Sequence, residues 1–561
     1  MIIAENGKSD YRIVIGEDAS PSEKHGASEL QSFLKEISGA MIPIVTDKTP
    51  VSDHEIILGD NSHLSGLKPG IDWDKLGNEG FTIRTIDNHL VIAGGKLRGT
   101  MYGVYTFLED YLGCRWFASN VSRIPKRNRI DLKPISDTQI PVLEYREPFY
   151  TDAFDGDWSA RNRMNSTSSR LTRDHGGKVV YSHFVHTFDS LLSPKEYFAD
   201  HPEYFSEVDG KRVSDHTQLC LTNPDVLRIS IEKVRQWIKE APEANIFSVS
   251  QNDWHNFCQC SECKAIDDKE GSHSGTMLWF VNQVAEAIEK DYPDKAIDTL
   301  AYQYTRKPPK TIIPRKNVIV RLCSIECCFS HSLEECETNA SFKEDIEGWS
   351  KISDRLYIWD YVTDFSHYIL PFPNLYVLKP NIQFFVNHGV RGIFEEGNYS
   401  SGGKGELAEL RAYVMAKLLW NPDYDTDRAV DEFLEGFYGK SSAPIREYIN
   451  VIHGSVMRDK SLHTNIWANP KIGYLSDENM SMAEELFDKA EKLADNDEVL
   501  ARVLVARLPI QYVRISNLSA DDPKRAQIIE KFFDVVDKEG ITNISEGMSM
   551  EAYKKSLGVI T

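Results

Sequence analysis

The sequence predicts an α/β protein: a (β/α)8 barrel over residues 140–425, a small α/β sandwich domain before it over residues 1–130, and a helical C-terminal region after it over residues 426–561. Three observations predict this arrangement. Strand-like and helix-like segments alternate through the middle of the chain, which is the pattern of a parallel sheet covered by helices. Shorter strands with two amphipathic helices precede that stretch, and only helical periodicity follows it. A chain of 561 residues is also too long for one hydrophobic core.

In the first domain YRIVIGE reads as a strand, followed by a helix over SEKHGASELQSFLKEIS whose apolar residues recur at helical spacing. MIPIVTD, HEIILGD, FTIRTIDN and HLVIAGG are four further strands, and RGTMYGVYTFLEDYLGCRWF is a second helix. The polar, Pro-containing IPKRNRIDLKP reads as the exit from this domain. The barrel strands are then VLEYREPF, HTQLCLT, NIFSVSQ, AIDTLAY, VIVRLCSI, RLYIWDY and VRGIFEE. Helices such as NPDVLRISIEKVRQWIKEAP and SGTMLWFVNQVAEAIEKDY lie between them. An open doubly wound sheet is the alternative, but no GxGxxG motif opens a helix here. TDRAVDEFLEGFYG, APIREYINVIHGSVMR, SMAEELFDKAEKLAD and EVLARVLVARLPIQYVRISNL supply the helical end.

Composition excludes some functions. Lys and Arg number 64 against 85 Asp and Glu, a formal net charge of −21, the opposite of what a nucleic-acid surface needs. A neutral ligand such as a sugar suits that balance. No run approaches the roughly 20 apolar residues that span a bilayer. The start of the chain has neither a basic nor an apolar leader segment, so the expectation is a cytoplasmic protein or one whose leader lies outside this sequence. Nine cysteines cannot all pair within the chain, and seven of them fall between Cys258 and Cys336. FCQCSEC has a spacing that can ligate zinc but lacks a second CxxC knuckle, so a local disulfide, or cysteines that brace the loop after Asp253, is the preferred reading. No cofactor or metal is expected.

In a barrel the reactive groups follow the C-terminal ends of the strands. NIFSVSQ is followed by Asn252, Asp253 and Trp254; AIDTLAY leads to Tyr302, Gln303 and Tyr304. RLYIWDY carries Trp359, Asp360 and Tyr361, and VRGIFEE ends in Glu395 and Glu396, with Asn398 and Tyr399 beyond. Arg161 lies in WSARNRMNS, and His183 and His186 lie in HFVHTF. Aromatic faces stack on pyranose rings while Asn, Arg, His and carboxylates bind hydroxyls. Glycosidic hydrolysis needs one protonated acid and a second anionic group. Asp253, Asp360, Glu395 and Glu396 are the candidate catalytic acids. The other residues named, Asn252, Trp254, Tyr302, Tyr304, Trp359, Tyr361, Asn398, Arg161, His183 and His186, are candidate substrate ligands. A lone Asp after a strand is more often a helix cap or turn residue, whereas the Glu395–Glu396 doublet exceeds what capping needs.

YREPF with WSARNRMN, VSQNDW with its cysteines, and GIFEEGNYSSGG together resemble the barrel of glycoside hydrolase family 163, formerly domain-of-unknown-function family 4838. The part containing RGTMYGVYTFLEDYLGCRWF resembles the α/β domain that precedes the barrels of α-glucuronidases and β-hexosaminidases. The resemblance implies an endo-β-N-acetylglucosaminidase that cuts N-glycans of glycoproteins with retention, using the substrate's acetamide as nucleophile. It also implies a periplasmic or cell-surface location. On this view Glu396 is the acid and Glu395 its partner, with mutual repulsion raising one pKa. An α-glucuronidase-like inverting enzyme, a catalytically inactive glycan-binding barrel and a zinc-dependent hydrolase are the rival readings.

Overall fold

The computed structural model describes residues 1–400 and 402–559. The N-terminal sheet contains β1 (Arg12–Ile15), β2 (Ile44–Thr46), β3 (Glu55–Leu58), β4 (Phe81–Ile86), β5 (His89–Gly94) and β6 (Ser136–Gln139), in the order β6-β4-β5-β3-β1-β2. Helix α1 (Pro21–Ser38) begins at Ser20, whose hydroxyl accepts from the Glu23 amide while the Glu23 carboxylate accepts from the Ser20 amide. This reciprocal cap and Pro21 in the first turn fix its start. Gly39, at φ 78°, ends it in the left-handed conformation that glycine adopts without strain. Helix α2 (Gly99–Thr106) is buried at every position.

Two features of this domain depart from expectation. The second helix does not reach Phe117: Gly113 turns the chain at φ 82°, and Arg115–Ala118 forms a strand paired with Val121–Arg123. The sheet also extends past residue 130, because β6 pairs antiparallel with β4.

The central sheet contains β7 (Tyr145–Phe149), β8 (Ile246–Ser248), β9 (Ala296–Ala301), β10 (Val318–Cys323), β11 (Leu356–Tyr361) and β12 (Val390–Glu396). All pair in parallel, in the order β7-β12-β11-β10-β9-β8. The sheet curls strongly. Arg321, on the middle strand β10, lies 5.9 Å from the ring of Tyr145 on one edge strand and 5.1 Å from the ring of Tyr181, which bridges to the other edge strand at Ile246. Only a curled sheet brings both edges to one side chain.

The expected closed eight-stranded barrel is therefore, among the described residues, a six-stranded half-barrel whose gap is filled by coil. Asn165 Oδ1 accepts from the Arg146 amide and Thr167 Oγ1 from the Tyr181 amide, so side chains take backbone donors that a neighbouring strand would have taken. HTQLCLT, expected as a strand, makes only isolated bridges, Phe205 to Leu219 and Thr217 to Asn256.

Helices α3 (Pro224–Glu240), α4 (Ser274–Glu289) and α5 (Ala408–Trp420) are among those that cover the curled sheet. The C-terminal helices α6 (Thr426–Tyr438), α7 (Ser442–Arg458), α8 (Asp477–Leu493) and α9 (Asp497–Asn517) fall where periodicity placed them. A further helix, α10 (Pro523–Glu539), and a hairpin of β13 (Asn543–Ser545) and β14 (Met548–Ser549) follow. Leu278 and Phe365 of the barrel share one buried apolar cluster with Phe487, Val513 and Phe532 of the C-terminal helices. That continuity holds the helical region against the barrel mouth. Among the described residues, no helix is long and apolar enough to cross a membrane.

Candidate active site at the barrel mouth

Side chains alternate along a strand, so residues two apart share a face. On β12 this puts Glu396 and Phe394 on the inner face and Glu395 on the outer one. On β11, Trp359 and Tyr361 face inward and Asp360 outward. The inner set opens onto a cleft of about 510 Å³, lined among others by His186, Asp253, Tyr302, Gln303, Trp359, Tyr361, Glu396, Trp467 and Glu546.

Glu396 is half-buried, and its Oε2 accepts from Trp359 Nε1 at 2.7 Å. Burial pushes its carboxyl up to about 8 against the opposing pull of that hydrogen bond, and the nearby Glu546 and Asp253 carboxylates add to the rise. Gly397 follows directly, and a Cβ there would lie 2.0 Å from the Tyr150 ring. This close approach lets Tyr150 pack beneath the site and donate to the Val362 carbonyl at 3.2 Å. Asp253, on the loop after β8, is exposed, and its Oδ1 accepts from Tyr302 Oη at 2.9 Å. Gln303 Nε2 donates in turn to the same Tyr302 oxygen at 2.9 Å. Both His186 (φ 54°) and Gln303 (φ 51°) hold left-handed backbone conformations that non-glycine residues seldom adopt.

One layer below, the half-barrel interior is fully buried. Arg321 pairs with Asp298 at 3.4 Å, lies 4.8 Å from the Phe184 ring and donates to the Tyr181 hydroxyl. The inner ends of the strands are thus closed by packed aromatics around one cation, and the cleft has a floor.

Six of the fourteen sequence candidates line the cleft: Asp253, Glu396, His186, Tyr302, Trp359 and Tyr361. The others do not. Glu395 is 1% exposed, on the opposite face of its strand, and its cross-strand neighbour is Asp360. Burial, and then the Asp360 charge, hold the Glu395 carboxyl well above its usual range. Burial likewise pushes Asp360 up to about 6, against a hydrogen bond from Ser324 Oγ at 2.5 Å. The expected repulsive doublet of Glu395 and Glu396 therefore does not exist as a unit, because strand alternation sends its members to opposite sides. The pair in contact is Glu395 with Asp360.

Asn252 is buried and holds loops together, donating to Asp189 Oδ1 at 2.8 Å and to the Thr217 carbonyl at 3.0 Å. Trp254 packs against His216, and Tyr304 against Phe257. Asn398 is buried and accepts from the Ser400 amide at 3.3 Å. His183 stacks on Trp237 of α3, with ring centroids 3.8 Å apart. Arg161 faces the N-terminal domain, paired with Glu29 at 2.9 Å.

Among the cleft residues that sequence reasoning missed, two carry exposed aromatic or acidic groups suited to a sugar site. Trp467 is 53% exposed on the loop between α7 and α8, and Glu546 sits in the turn between β13 and β14. The hairpin is held to the barrel by Tyr368 N to Ile544 O at 2.9 Å, and Tyr399 Oη donates to Glu546 Oε1 at 2.8 Å. An isolated Trp and Glu far beyond the last strand carry no local signal of a shared pocket.

Residues 116–450 match the family described as "Domain of unknown function (DUF4838)", and the chain belongs to that family. Residues 5–107 match the "Glycosyl hydrolase family 67 N-terminus". No curated protein sequence matches. Among solved structures, a family GH115 4-O-methyl-α-glucuronidase with specificity for decorated arabinogalactans superposes with a TM-score of 0.59 at 13% identity, over 96% of this chain and 77% of the other. A family 89 glycoside hydrolase from Clostridium perfringens, solved with PUGNAc, has a TM-score of 0.48 at 13% identity, over 92% of this chain and 65% of its own. The first of these shows that the chain shares the fold of that glucuronidase.

Proposed function

We propose that the protein is a glycoside hydrolase in which Glu396 protonates the departing glycosidic oxygen and Asp253 supplies the second carboxylate. The observation that carries this is the shared cleft. It joins an acid kept protonated by burial to a solvent-facing carboxylate held by a tyrosine, with Trp359, Tyr361 and Trp467 as surfaces for sugar rings. A group with its pKa near 8 remains protonated at neutral pH and can donate to the leaving oxygen. The match of residues 5–107 to a glycoside hydrolase N-terminal domain supports the same class.

The finer reading is an endo-β-N-acetylglucosaminidase of glycoside hydrolase family 163 that cuts N-glycans with retention. It rests on the sequence resemblance, and within it Asp253, rather than the buried Glu395, is the partner of Glu396. A second reading, inversion as in α-glucuronidases, is favoured by one feature: Asp253 and Glu396 come from β8 and β12, with three strands between them, so the two carboxylates approach the cleft from different sides. Incubation with a complex N-glycoprotein and with a panel of aryl glycosides, followed by mass spectrometry, tests the class. Release of sugar that Glu396→Gln abolishes is expected, and no release from any substrate sinks it. The anomer first formed, read by NMR, separates retention from inversion.

A further inference from the structure

Two groups of thiol and imidazole side chains lie outside the cleft, each including residues of a loop that lines it. In the first, Cys220, Cys258, Cys260 and Cys263 are all buried, with their Sγ atoms within 4.8 Å of one another. Cys220 lies 3.7 Å from Cys260 and 4.0 Å from Cys263. In the second, Cys328, His331, Cys336 and His463 bring one ligand atom each within the same 4.8 Å. His463 Nδ1 lies 3.4 Å from Cys328 Sγ and 3.6 Å from Cys336 Sγ, and His331 Nδ1 lies 3.6 Å from Cys328 Sγ.

Tetrahedral zinc, with bonds of about 2.3 Å to sulfur and 2.0–2.1 Å to nitrogen, places sulfurs about 3.8 Å apart and sulfur and nitrogen about 3.6 Å apart. The 3.7 and 4.0 Å sulfur pairs of the first cluster and the 3.4 and 3.6 Å sulfur–nitrogen pairs of the second fall close to these spacings. The first also has donors directed at its sulfurs: the Glu207 amide at 3.4 Å and Arg212 Nη1 at 3.6 Å from Cys258, and Thr222 Oγ1 at 3.2 Å from Cys263. A cation beside four thiolates offsets the net negative charge that zinc would leave. In the second cluster His331 turns Nδ1 to the sulfurs and holds the Val456 carbonyl with Nε2 at 3.0 Å, which is how ligating histidines are oriented.

We propose that the chain holds two structural zinc ions, one bound by Cys220, Cys258, Cys260 and Cys263 and the other by Cys328, His331, Cys336 and His463. Each set is closed at four protein ligands, so neither ion keeps a position for substrate. The first ion ties the Cys220 segment to the loop that carries Asp253. That segment already grips Asn252, through Gln218 Nε2 to its carbonyl at 2.9 Å. The second ion joins the loop after β10 to the α7–α8 loop that carries Trp467, beside the Phe329 amide bond to the Thr464 carbonyl at 2.9 Å. The expectation of a disulfide or bare brace in FCQCSEC gives way because the fourth ligand, Cys220, lies far upstream in sequence and only the fold supplies it.

The test is zinc content by plasma mass spectrometry on full-length protein purified without chelator. Two zinc ions per chain are expected, falling to one in C260S/C263S and to one in C336S/H463A. Zinc well below one per chain in the parent protein overturns the proposal, as do two retained ions in either variant. One zinc in the parent overturns the site whose substitution leaves it bound. If the variants do not fold, the parent decides: cobalt-substituted protein must show thiolate-to-cobalt charge-transfer bands. Disulfides found instead among these cysteines, by mass analysis of alkylated unreduced protein, overturn the proposal.

Discussion

The two faces of β11 and β12 at the barrel mouth carry the same chemistry to different ends. On both faces a glutamate is raised by burial, Glu396 to about 8 and Glu395 well above the usual range. The inner glutamate accepts from Trp359 and opens onto a cleft large enough for sugar rings. The outer one, 1% exposed, has neither carboxylate oxygen hydrogen-bonded among the described residues, with another buried acid as its neighbour. A perturbed carboxyl therefore marks burial, and it marks chemistry only where access and a second functional group accompany it.

The strongest way to break this comparison is to neutralise each glutamate in turn. Glu396→Gln is expected to lower kcat about 10³-fold, within the range for loss of a positioned general acid. Glu395→Gln is expected to leave kcat within about threefold, since replacing a buried, protonated carboxyl outside the cleft touches no reacting atom. Initial rates on a released sugar or aryl group measure both, and equal losses erase the distinction between the faces. Asp253→Asn comes next, with kcat reduced about 10²-fold on the same scale.

Much of the frame was legible in the sequence. Six of seven proposed barrel strands and the helices α1, α3, α4 and α6–α9 form where periodicity put them, because each carries its own apolar pattern, and α1, α3, α6, α8 and α9 add a side-chain N-cap. HTQLCLT failed because Gln218 and Thr217 use their polar groups on the Asn252 loop and leave the segment outside the sheet. The site was half legible. Glu396, Asp253 and the Trp359–Tyr361 face follow from strand ends, and alternation alone, applied to VRGIFEE and RLYIWDY together, would have separated Glu395 and Asp360 from them. Trp467 and Glu546 were not legible, since only the shared core of barrel and C-terminal helices brings them to the mouth.

Two smaller effects sharpen the account of the inner face. Trp467→Ala removes an aromatic surface worth about 0.5–1.5 kcal/mol, so KM should rise roughly 2- to 13-fold with kcat little changed. An unchanged KM removes Trp467 from substrate binding. The acid role of Glu396 requires its proton, so kcat/KM should fall as pH rises through about 8. Trp359→Phe deletes a hydrogen bond that favours the ionised form, and its alkaline limb should move upward.

The last effect belongs to the outer face and is read in stability. Glu395 titrates from its ordinary value of 4.5 when unfolded but holds its proton well above that when folded. The folded protein thus binds more protons than the unfolded chain once pH exceeds 4.5, and stability falls as pH rises, by at most about 1.4 kcal/mol per pH unit for one such group. Asp364 and Glu396, each raised to about 8, add slopes of the same sign, so the informative quantity is the difference between variant and parent. Glu395→Gln carries no proton to lose. Its stability relative to the parent, from urea unfolding, should therefore increase as pH rises above about 5, in the window opened by the raised carboxyl. A difference that stays constant across that window would mean that Glu395 ionises freely in the folded protein, and the two faces would then differ in access alone.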